Sequence, residues 1–382
     1  MITFCLPTKD NLRYLKGCIE SIRKNSTYDN EILVWVDSDN DGTIDWLDKN
    51  NVKYMVNSDD KPKGIAYGYN RCIESSSKDI VCMFHADMFM GKEFDKNLIK
   101  HLKENTIVAG TRIEPPLHPE GKEKIVEALG MYPEDFDEDK FNKVVSDIQS
   151  NDKDKTTRGI FAPWICYKKD IIDMGMHDER FHSYHEDSDI FNRFILNGMD
   201  IIQSRDSLVY HLTCRGGQFQ DGIEKITDDT DFHLMKTNAF RNYIRKWGSS
   251  IFNDEYHYPI LQPKYDIGLV VTNCDEKVLG ALEPWCSSIY VDVEINNYLN
   301  YEESNTYYDL NKRVYSIHSK KENDIIVRFD ATKLTQLGMN FITQLGNIIK
   351  DSGEIGSMEY DIFEIEIKSM KTYEGDLIKC EY

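Results

Sequence analysis

The sequence has no long apolar run. Its longest, such as Ile32 to Val36 and Ile80 to Phe84, fall far short of a bilayer span, so no transmembrane segment is expected. Positive charge is also in short supply. The 46 Lys and Arg residues face 66 Asp and Glu, a net charge of −20. Such a surface repels nucleic acid and anionic membrane, so no nucleic acid partner is expected. Paired-cysteine motifs are missing. The nine cysteines, at positions 5, 18, 72, 82, 166, 214, 274, 286 and 380, contain no C-x-x-C. Their odd number and apolar settings read as buried free thiols in a reducing compartment. Met1 to Asp10 lacks a basic segment followed by an apolar one, so no signal peptide is read and a cytoplasmic location is expected. The sequon Asn25-Ser26-Thr27 has no meaning without secretion.

What remains is a globular composition, 40% hydrophobic and 29% charged. At 382 residues the chain is too long for one compact core and suits two. The acidic balance sets one condition. A phosphate-bearing substrate would need a local positive centre.

The first quarter alternates strand and helix patterns. Residues 2–6 read as a strand ending at Pro7. Leu12, Leu15, Ile19 and Ile22 follow at helical spacing, with Thr8 or Asp10 as N-cap. Glu31 to Val36 and Val52 to Val56 read as strands, with a short polar helix at Asp45 to Asn50 between them. Ile65, Ala66, Tyr69, Cys72 and Ile73 form a helical face before the strand Asp79 to Phe84. This alternation predicts an α/β fold with a parallel sheet, whose ligands bind outside the carboxyl ends of the strands. Three polar clusters follow strand ends: Thr8 to Asp10, Asp37 to Asp41, and His85 to Asp87.

Residues 113–158, broken by Pro115, Pro116, Pro119 and Pro133, read as an insertion with one amphipathic helix near Phe141 to Ile148. Asp187 to Asn197 and Phe232 to Trp247 read as helices and Ser207 to Leu212 as a strand. A boundary near Tyr256 to Pro263 divides a domain of residues 1–255 from a smaller α+β module, 256–382. In that module Asp266-Ile267, Asp324-Ile325 and Asp361-Ile362 open strands, Ile289 to Val293 and Arg313 to Ile317 are further strands, and Lys333 to Lys350 reads as one helix.

Four constellations could carry chemistry. Asp37-Ser38-Asp39-Asn40-Asp41-Gly42 matches the opening of a calcium loop, with Asp48 at the twelfth place. A strand rather than a helix precedes it, which favours a strand-end loop. His85 and Asp87, at i and i+2, would point the same way in an extended segment and address one ion or one ribose. Glu186 and Asp187 stand where a helix begins, at an acidic density beyond what capping needs; Asp189 and Arg193 are spaced for an ion pair. His211 closes a strand and gains weight only by meeting Asp87. Cys214 to Gly217 reads as a loop carrying one cation.

In this order the pieces resemble family 2 glycosyltransferases of the GT-A fold, a nucleotide-binding mixed sheet flanked by helices, over residues 1 to about 250. Pro7-Thr8 with Asp10 resembles the first-strand exit, Val36-Asp37 to Thr43 the V-D-x-S-x-D-G-T loop, and Gly64 to Asn70 the G-x-x-x-x-x-N helix start. His85-Ala86-Asp87 occupies the D-x-D position. Gly175 through Arg193 resembles G-x-x-D-E-x-F…E-D-x-D…R, and His211 stands at the place of a metal-ligand histidine. The first Asp of D-x-D is His85, a departure at the position that often meets the ribose, or the metal through water.

The resemblance implies transfer of a sugar from a UDP- or GDP-sugar to a hydroxyl acceptor, for instance of a glycan, with inversion. Asp87 and His211 would ligate Mn²⁺ or Mg²⁺, the positive centre that an acidic protein needs. Thr8, Asp10, Asp37, His85 and Asp87 would line the nucleotide site, with Lys61, Lys63 and Arg71 as further cations near it. Asp187 would be the general base, and Glu186 would hold the acceptor. Two alternatives stand beside this reading: a sugar-phosphate nucleotidyltransferase, which would want a Gly-rich loop where Leu6 to Asp10 stands, and a non-enzymatic Ca²⁺ or glycan-binding module. The resemblance says nothing of the last third, which could shape the acceptor site, mediate self-association or tether a partner; Tyr298, Tyr301, Tyr307 and Tyr308 read as a packed loop sooner than as a glycan contact.

Overall fold

The apolar run Ile2, Phe4, Cys5 and Leu6 is fully buried because the strand it forms is flanked on both sides and covered by helices. In the computed structural model the described residues are 1–213, 219–220, 223–224 and 230–380, with backbone only at 219–220, 223–224 and 230–232. The loop expected at Cys214 to Gly217 lies outside them. Two compact units result: Met1–His233 with Asn253–Pro259 and Lys379–Tyr382, and Leu234–Phe252 with Ile260–Ile378.

The first unit begins β1 (Ile2–Lys9), α1 (Leu12–Asn25), β2 (Glu31–Ser38), α2 (Thr43–Lys49), β3 (Lys53–Val56), α3 (Ile65–Ser75) and β4 (Ile80–Met83). It continues with β5 (Met88–Met90), α4 (Phe94–Ile99), β6 (Thr106–Glu114), β7 (Lys124–Val126), α5 (Glu138–Asn151), β8 (Thr156–Thr157), β9 (Trp164–Tyr167), α6 (Lys168–Asp173), α7 (Glu186–Leu196) and β10 (Asp200–His211). The sheet runs β3-β2-β1-β4-β9-β6-β10-β5, with β7 on β6 and β8 on β10. The first four strands are parallel, β9 is antiparallel to its neighbours, and β6 and β10 are parallel. It is a mixed α/β sheet with flanking helices.

Several expectations change in detail. β1 does not stop at Pro7 but pairs with β2 through Lys9. β4 pairs with β1 only as far as Cys5, so the missing N–H of Pro7 falls where that side of the ladder has ended. Neither Thr8 nor Asp10 caps α1. The cap position is Asn11, and the Leu12 N–H donates to Asp41 at 2.7 Å. β6, nine consecutive buried residues, went unread because its apolar core of Ile107, Val108 and Ala109 is short and, Ile113 apart, its remaining buried positions are polar or Gly. Within residues 113–158 the expected helix is α5. Its Phe141 and Val145 join Tyr14, Phe89, Ile113, Leu208 and Tyr210 in a separate apolar cluster.

A two-stranded ribbon, β11 (Phe219–Gln220) with β12 (Ile223–Glu224), precedes α8 (Thr230–Trp247). The second unit contains β13 (Ile267–Thr272), α9 (Glu276–Leu282), β14 (Ser288–Val291), α10 (Asn296–Glu302), β15 (Val314–Ser316), β16 (Ile325–Asp330), α11 (Gln336–Thr343), α12 (Leu345–Ser352), β17 (Gly356–Tyr360) and β18 (Phe363–Ile367). Its sheet runs β15-β14-β13-β16-β18-β17; the first four strands are parallel and the last two antiparallel. The order third, second, first, fourth therefore occurs in both units. Even the register matches, Ile2 opposite Ile80 and Ile267 opposite Ile325. The single helix expected at Lys333 to Lys350 is two, broken at Gln344, so that Phe341 and Ile342 of one and Leu345 and Ile349 of the other all enter the same core.

This second core encloses an ionic cluster. Glu283 binds Arg245 and Arg313 and accepts from the Tyr298 hydroxyl at 3.0 Å, while Glu302 takes Arg241 at 2.9 Å. Burial works against the Glu283 carboxylate, but Arg313 and Arg245 outweigh it and hold it down at about 2. Tyr298 is thus a core residue, whereas Tyr301 and Tyr307 are exposed. Among the described residues the cysteines are free thiols, all but Cys274 buried, and no helix is long and apolar enough to cross a membrane.

Candidate functional site

Parallel pairing of β2, β1 and β4 brings the carboxyl ends of these strands to one edge of the sheet. Thr8, Asp10, Asp37 and the His85 turn follow those ends. Asp10 has a left-handed backbone, φ 47°, and its carboxylate accepts from the Asn40 N–H at 2.7 Å and from Ser38 Oγ at 3.1 Å. Asp37 is buried and accepts from the backbone N–H groups of Lys63 at 2.8 Å and Gly64 at 2.9 Å, and from Asn57 Nδ2 at 3.1 Å. A carboxylate offers about four acceptor positions, so Asp37 retains little beyond the loop that it holds. Thr8 Oγ1 is buried without a hydrogen-bond partner among the described residues.

The calcium-like loop spends its carboxylates locally. Asp39 accepts from the Thr43 N–H at 2.6 Å and Asp41 from Thr43 Oγ1 at 2.6 Å, which start α2. Among the described residues, neither grouping that could hold a metal includes this loop.

One of those groupings is His85, Asp87 and His211, whose ligand atoms all lie within 4.8 Å of one another. Residues 85–88 form a turn rather than an extended segment, closed by the Met88 N–H on the His85 carbonyl at 3.2 Å. The two side chains still converge. His211 arrives from the other side: β10 pairs antiparallel with β5, placing His211 opposite Met88, and Nε2 lies 3.4 Å from Asp87 Oδ1.

Glu114, at the end of β6, was not read from the sequence. Its Oε1 lies 2.9 Å from His211 Nδ1, which aims Nε2 at Asp87. Arg112 at 2.8 Å and Lys124 at 3.0 Å hold Glu114 in turn. Burial would raise the Glu114 carboxyl, but His211, Arg112 and Lys124 keep it well below the usual carboxylate range. Burial likewise disfavours a charged His211, yet Asp87 and Glu114 outweigh it and hold the imidazole up to about 9. His85 moves the other way, to about 4, through burial and the neighbouring His211. The carboxylates of Asp87 and Glu114 therefore favour positive charge at His211, while His85 is left neutral. A carboxylate oxygen and imidazole nitrogens also form a chemically sensible donor set for a divalent transition metal.

The start of α7 carries the paired acids. Tyr184 and His185 both have left-handed backbones, φ 78° and 69°, an uncommon conformation for such bulky residues. It delivers Glu186 and Asp187 in the first turn of the helix. Glu186 Oε2 is shut off from solvent without a hydrogen-bond partner among the described residues. Burial, then the Asp187 charge, pushes the Glu186 carboxyl up to about 8. The Ile65 N–H donates to the His182 carbonyl at 2.7 Å and His182 Nδ1 lies 2.9 Å from the Lys63 carbonyl, so the segment leading into α7 rests on the loop that holds Asp37. Asp189 and Arg193, both fully buried, form the expected pair at 3.5 Å, and Arg193 also holds the Met176 carbonyl at 2.6 Å. Asn70 grips the backbone of His177 with donor and acceptor, each at 2.9 Å. The spacing between the α3 Asn and the α7 Arg thus serves to pin the segment that leads to Glu186. Of the expected cations, Lys63 pairs with Asp59, and Arg71 with Glu74 and Glu179. Lys61 is exposed.

Residues 3–161 match the family model described as glycosyl transferase family 2. No curated protein matches the chain in sequence. Among solved structures, S. aureus TarS 1-349 is similar at 13% identity and a TM-score of 0.39, over 55% of this chain and 60% of that one. A longer S. aureus TarS structure has 16% identity and a TM-score of 0.40, over 55% of this chain and 36% of that one. This chain therefore spans less than two thirds of either. The mannosyltransferase PcManGT from Pyrobaculum calidifontis, in complex with GDP-Man and Mn²⁺, has 14% identity and a TM-score of 0.42, over 64% of this chain and 63% of that one. The match to glycosyl transferase family 2 thus covers the segment that supplies Thr8, Asp10, Asp37, His85, Asp87 and Glu114.

Proposed function

We propose that the first unit transfers a sugar from a nucleoside diphosphate sugar, of uridine or guanosine, to an acceptor hydroxyl such as that of a glycan. The observation that carries this reading is the convergence of Asp87 and His211 at the strand-end edge, with the segment that leads into the Glu186–Asp187 pair resting on residues 63–65 of the same edge. Thr8, Asp10 and Asp37 shape the nucleoside side of that edge, Asp37 largely by fixing the 61–64 loop. Asp87 and His211 would hold Mn²⁺ or Mg²⁺, and a bound divalent ion supplies the positive charge that a departing diphosphate requires.

The paired acids divide the acceptor chemistry. Glu186, held protonated at neutral pH, donates a hydrogen bond to the acceptor oxygen and keeps a second full charge out of the pocket. Asp187 accepts the hydroxyl proton as that oxygen attacks the anomeric carbon from the face opposite the leaving group. Such a single displacement inverts the anomeric centre. Separating two neighbouring carboxyl groups in this way is how one site carries both an acid and a base.

The test is a panel of UDP- and GDP-sugars, read first by thermal stabilisation with and without Mn²⁺ and then by product NMR. A ligand that binds the folded state raises its apparent stability by mass action. An α-linked donor should give a β-linked product. Absence of stabilisation by every nucleotide sugar, or full activity in Asp187→Asn, would sink the assignment. The second unit, Leu234–Phe252 with Ile260–Ile378, is proposed as an accessory module for self-association or acceptor contact, with Tyr301 and Tyr307 exposed on its surface.

A further inference from the structure

We propose that His85 is itself a metal ligand, so that the centre is a two-imidazole, one-carboxylate site selective for transition-metal ions over Mg²⁺. The inference rests on the metal site of the proposed function and assigns it a third donor. Three observations carry it. One ligand atom from each of His85, Asp87 and His211 falls inside the same 4.8 Å sphere of mutual distances. The two imidazole rings lie with centroids 5.4 Å apart, tilted by 58°, although His85 belongs to the β4–β5 turn and His211 to β10. His211 is oriented from behind by Glu114, and that carboxylate by Arg112 and Lys124, so one of the two nitrogens is held in place by buried groups.

Donor chemistry gives the consequence. An aspartate in place of His85 would make the site two oxygens and one nitrogen, a set that Mg²⁺ tolerates. With His85 the set is two nitrogens and one oxygen and carries one negative charge fewer. Mg²⁺ prefers oxygen and gives up its water reluctantly, whereas Mn²⁺, Fe²⁺, Co²⁺ and Zn²⁺ take imidazole readily.

Pulsed EPR on the full chain loaded with Mn²⁺ counts the nitrogens coupled to the ion. Two histidine nitrogens are expected in the native protein, one in His85→Asp and one in His211→Ala. In parallel, Mg²⁺ should displace Mn²⁺ from His85→Asp at least about tenfold more readily than from the native protein, the lower end of what even an outer-partner change does to metal affinity. Melting curves without metal check that each variant is folded, and His85→Gln, a neutral replacement of similar length, should also show one nitrogen. A single coupled nitrogen in the native protein that vanishes in His211→Ala overturns the proposal, as does a failure of the native protein to bind Mn²⁺. Two nitrogens in a protein that binds no nucleotide sugar would support the ligand assignment while refuting glycosyl transfer. One nitrogen in a protein that transfers sugar would do the reverse.

Discussion

Glu186 offers a test of the proposed site's electrostatics that needs no substrate. Its carboxyl is displaced from 4.5 to about 8 by burial and by Asp187. The folded state therefore keeps a proton that the unfolded chain releases, and stability must fall as pH rises between those values. At about 1.4 kcal/mol per pH unit, ionising Glu186 in the folded protein costs on the order of 5 kcal/mol, an upper limit because the Glu186–Asp187 pair shares the proton. Glu186→Gln keeps the shape and removes the titration. Its melting temperature relative to the native protein, measured from pH 5 to 9, should be close to zero at pH 5, climb through neutrality in favour of the variant, and level off above pH 8. At about 2–4 °C per kcal/mol for a domain the size of the first unit, the climb is at most on the order of 10–20 °C. Parallel pH profiles for the two proteins would refute the reasoning. They would mean that Glu186 is solvated enough to ionise normally and that the acid–base division proposed for α7 has no physical basis.

Glu114→Gln should weaken Mn²⁺ binding by about 10–100-fold in calorimetry, because His211 loses the carboxylate that aims it. The same change leaves Arg112 and Lys124 buried with less compensation and should lower the melting temperature. Asp187→Asn should retain nucleotide-sugar binding yet reduce transfer by about 10²–10⁴-fold, the usual worth of a general base. Gly64→Ala should destabilise strongly in thermal melts. A Cβ at that position, φ 89°, would sit 2.1 Å from the His182 carbonyl oxygen, and that backbone contact cannot yield as a flexible side-chain end would.

The β1 to β4 alternation was legible because buried parallel strands are written as apolar runs and the helices between them carry a 3.6-residue period. Asp37, His85 and Asp87 were readable as strand-end residues for the same reason. Position along the chain, however, does not say what a side chain touches. Asp37 reads like a ligand contact, and only the folded loop shows Lys63, Gly64 and Asn57 already on it. Glu114 left almost no local signal. It closes a strand rich in buried polar residues, and its meaning comes from β10, about a hundred positions away, bringing His211 beside it. The break at Gln344 was hidden for a related reason: local propensity favours one continuous helix, and the core shared by its two halves favours a bend.

The strand plan that occurs in both units bears on stoichiometry. Behind β16 stands Asp330-Ala331-Thr332, in the place that His85-Ala86-Asp87 takes behind β4. There the Thr332 N–H and hydroxyl both donate to Asp330, at 2.9 and 2.7 Å, and Asp292 behind β14 accepts from the N–H groups of Asn273 and Cys274. Neither carboxylate belongs to a grouping able to hold a metal among the described residues. One backbone arrangement thus appears with a histidine-bearing edge and again with an edge that binds only itself, and the side chains alone distinguish them. The edge of the second sheet should therefore add no equivalent of Mn²⁺ to the one expected at His85, Asp87 and His211.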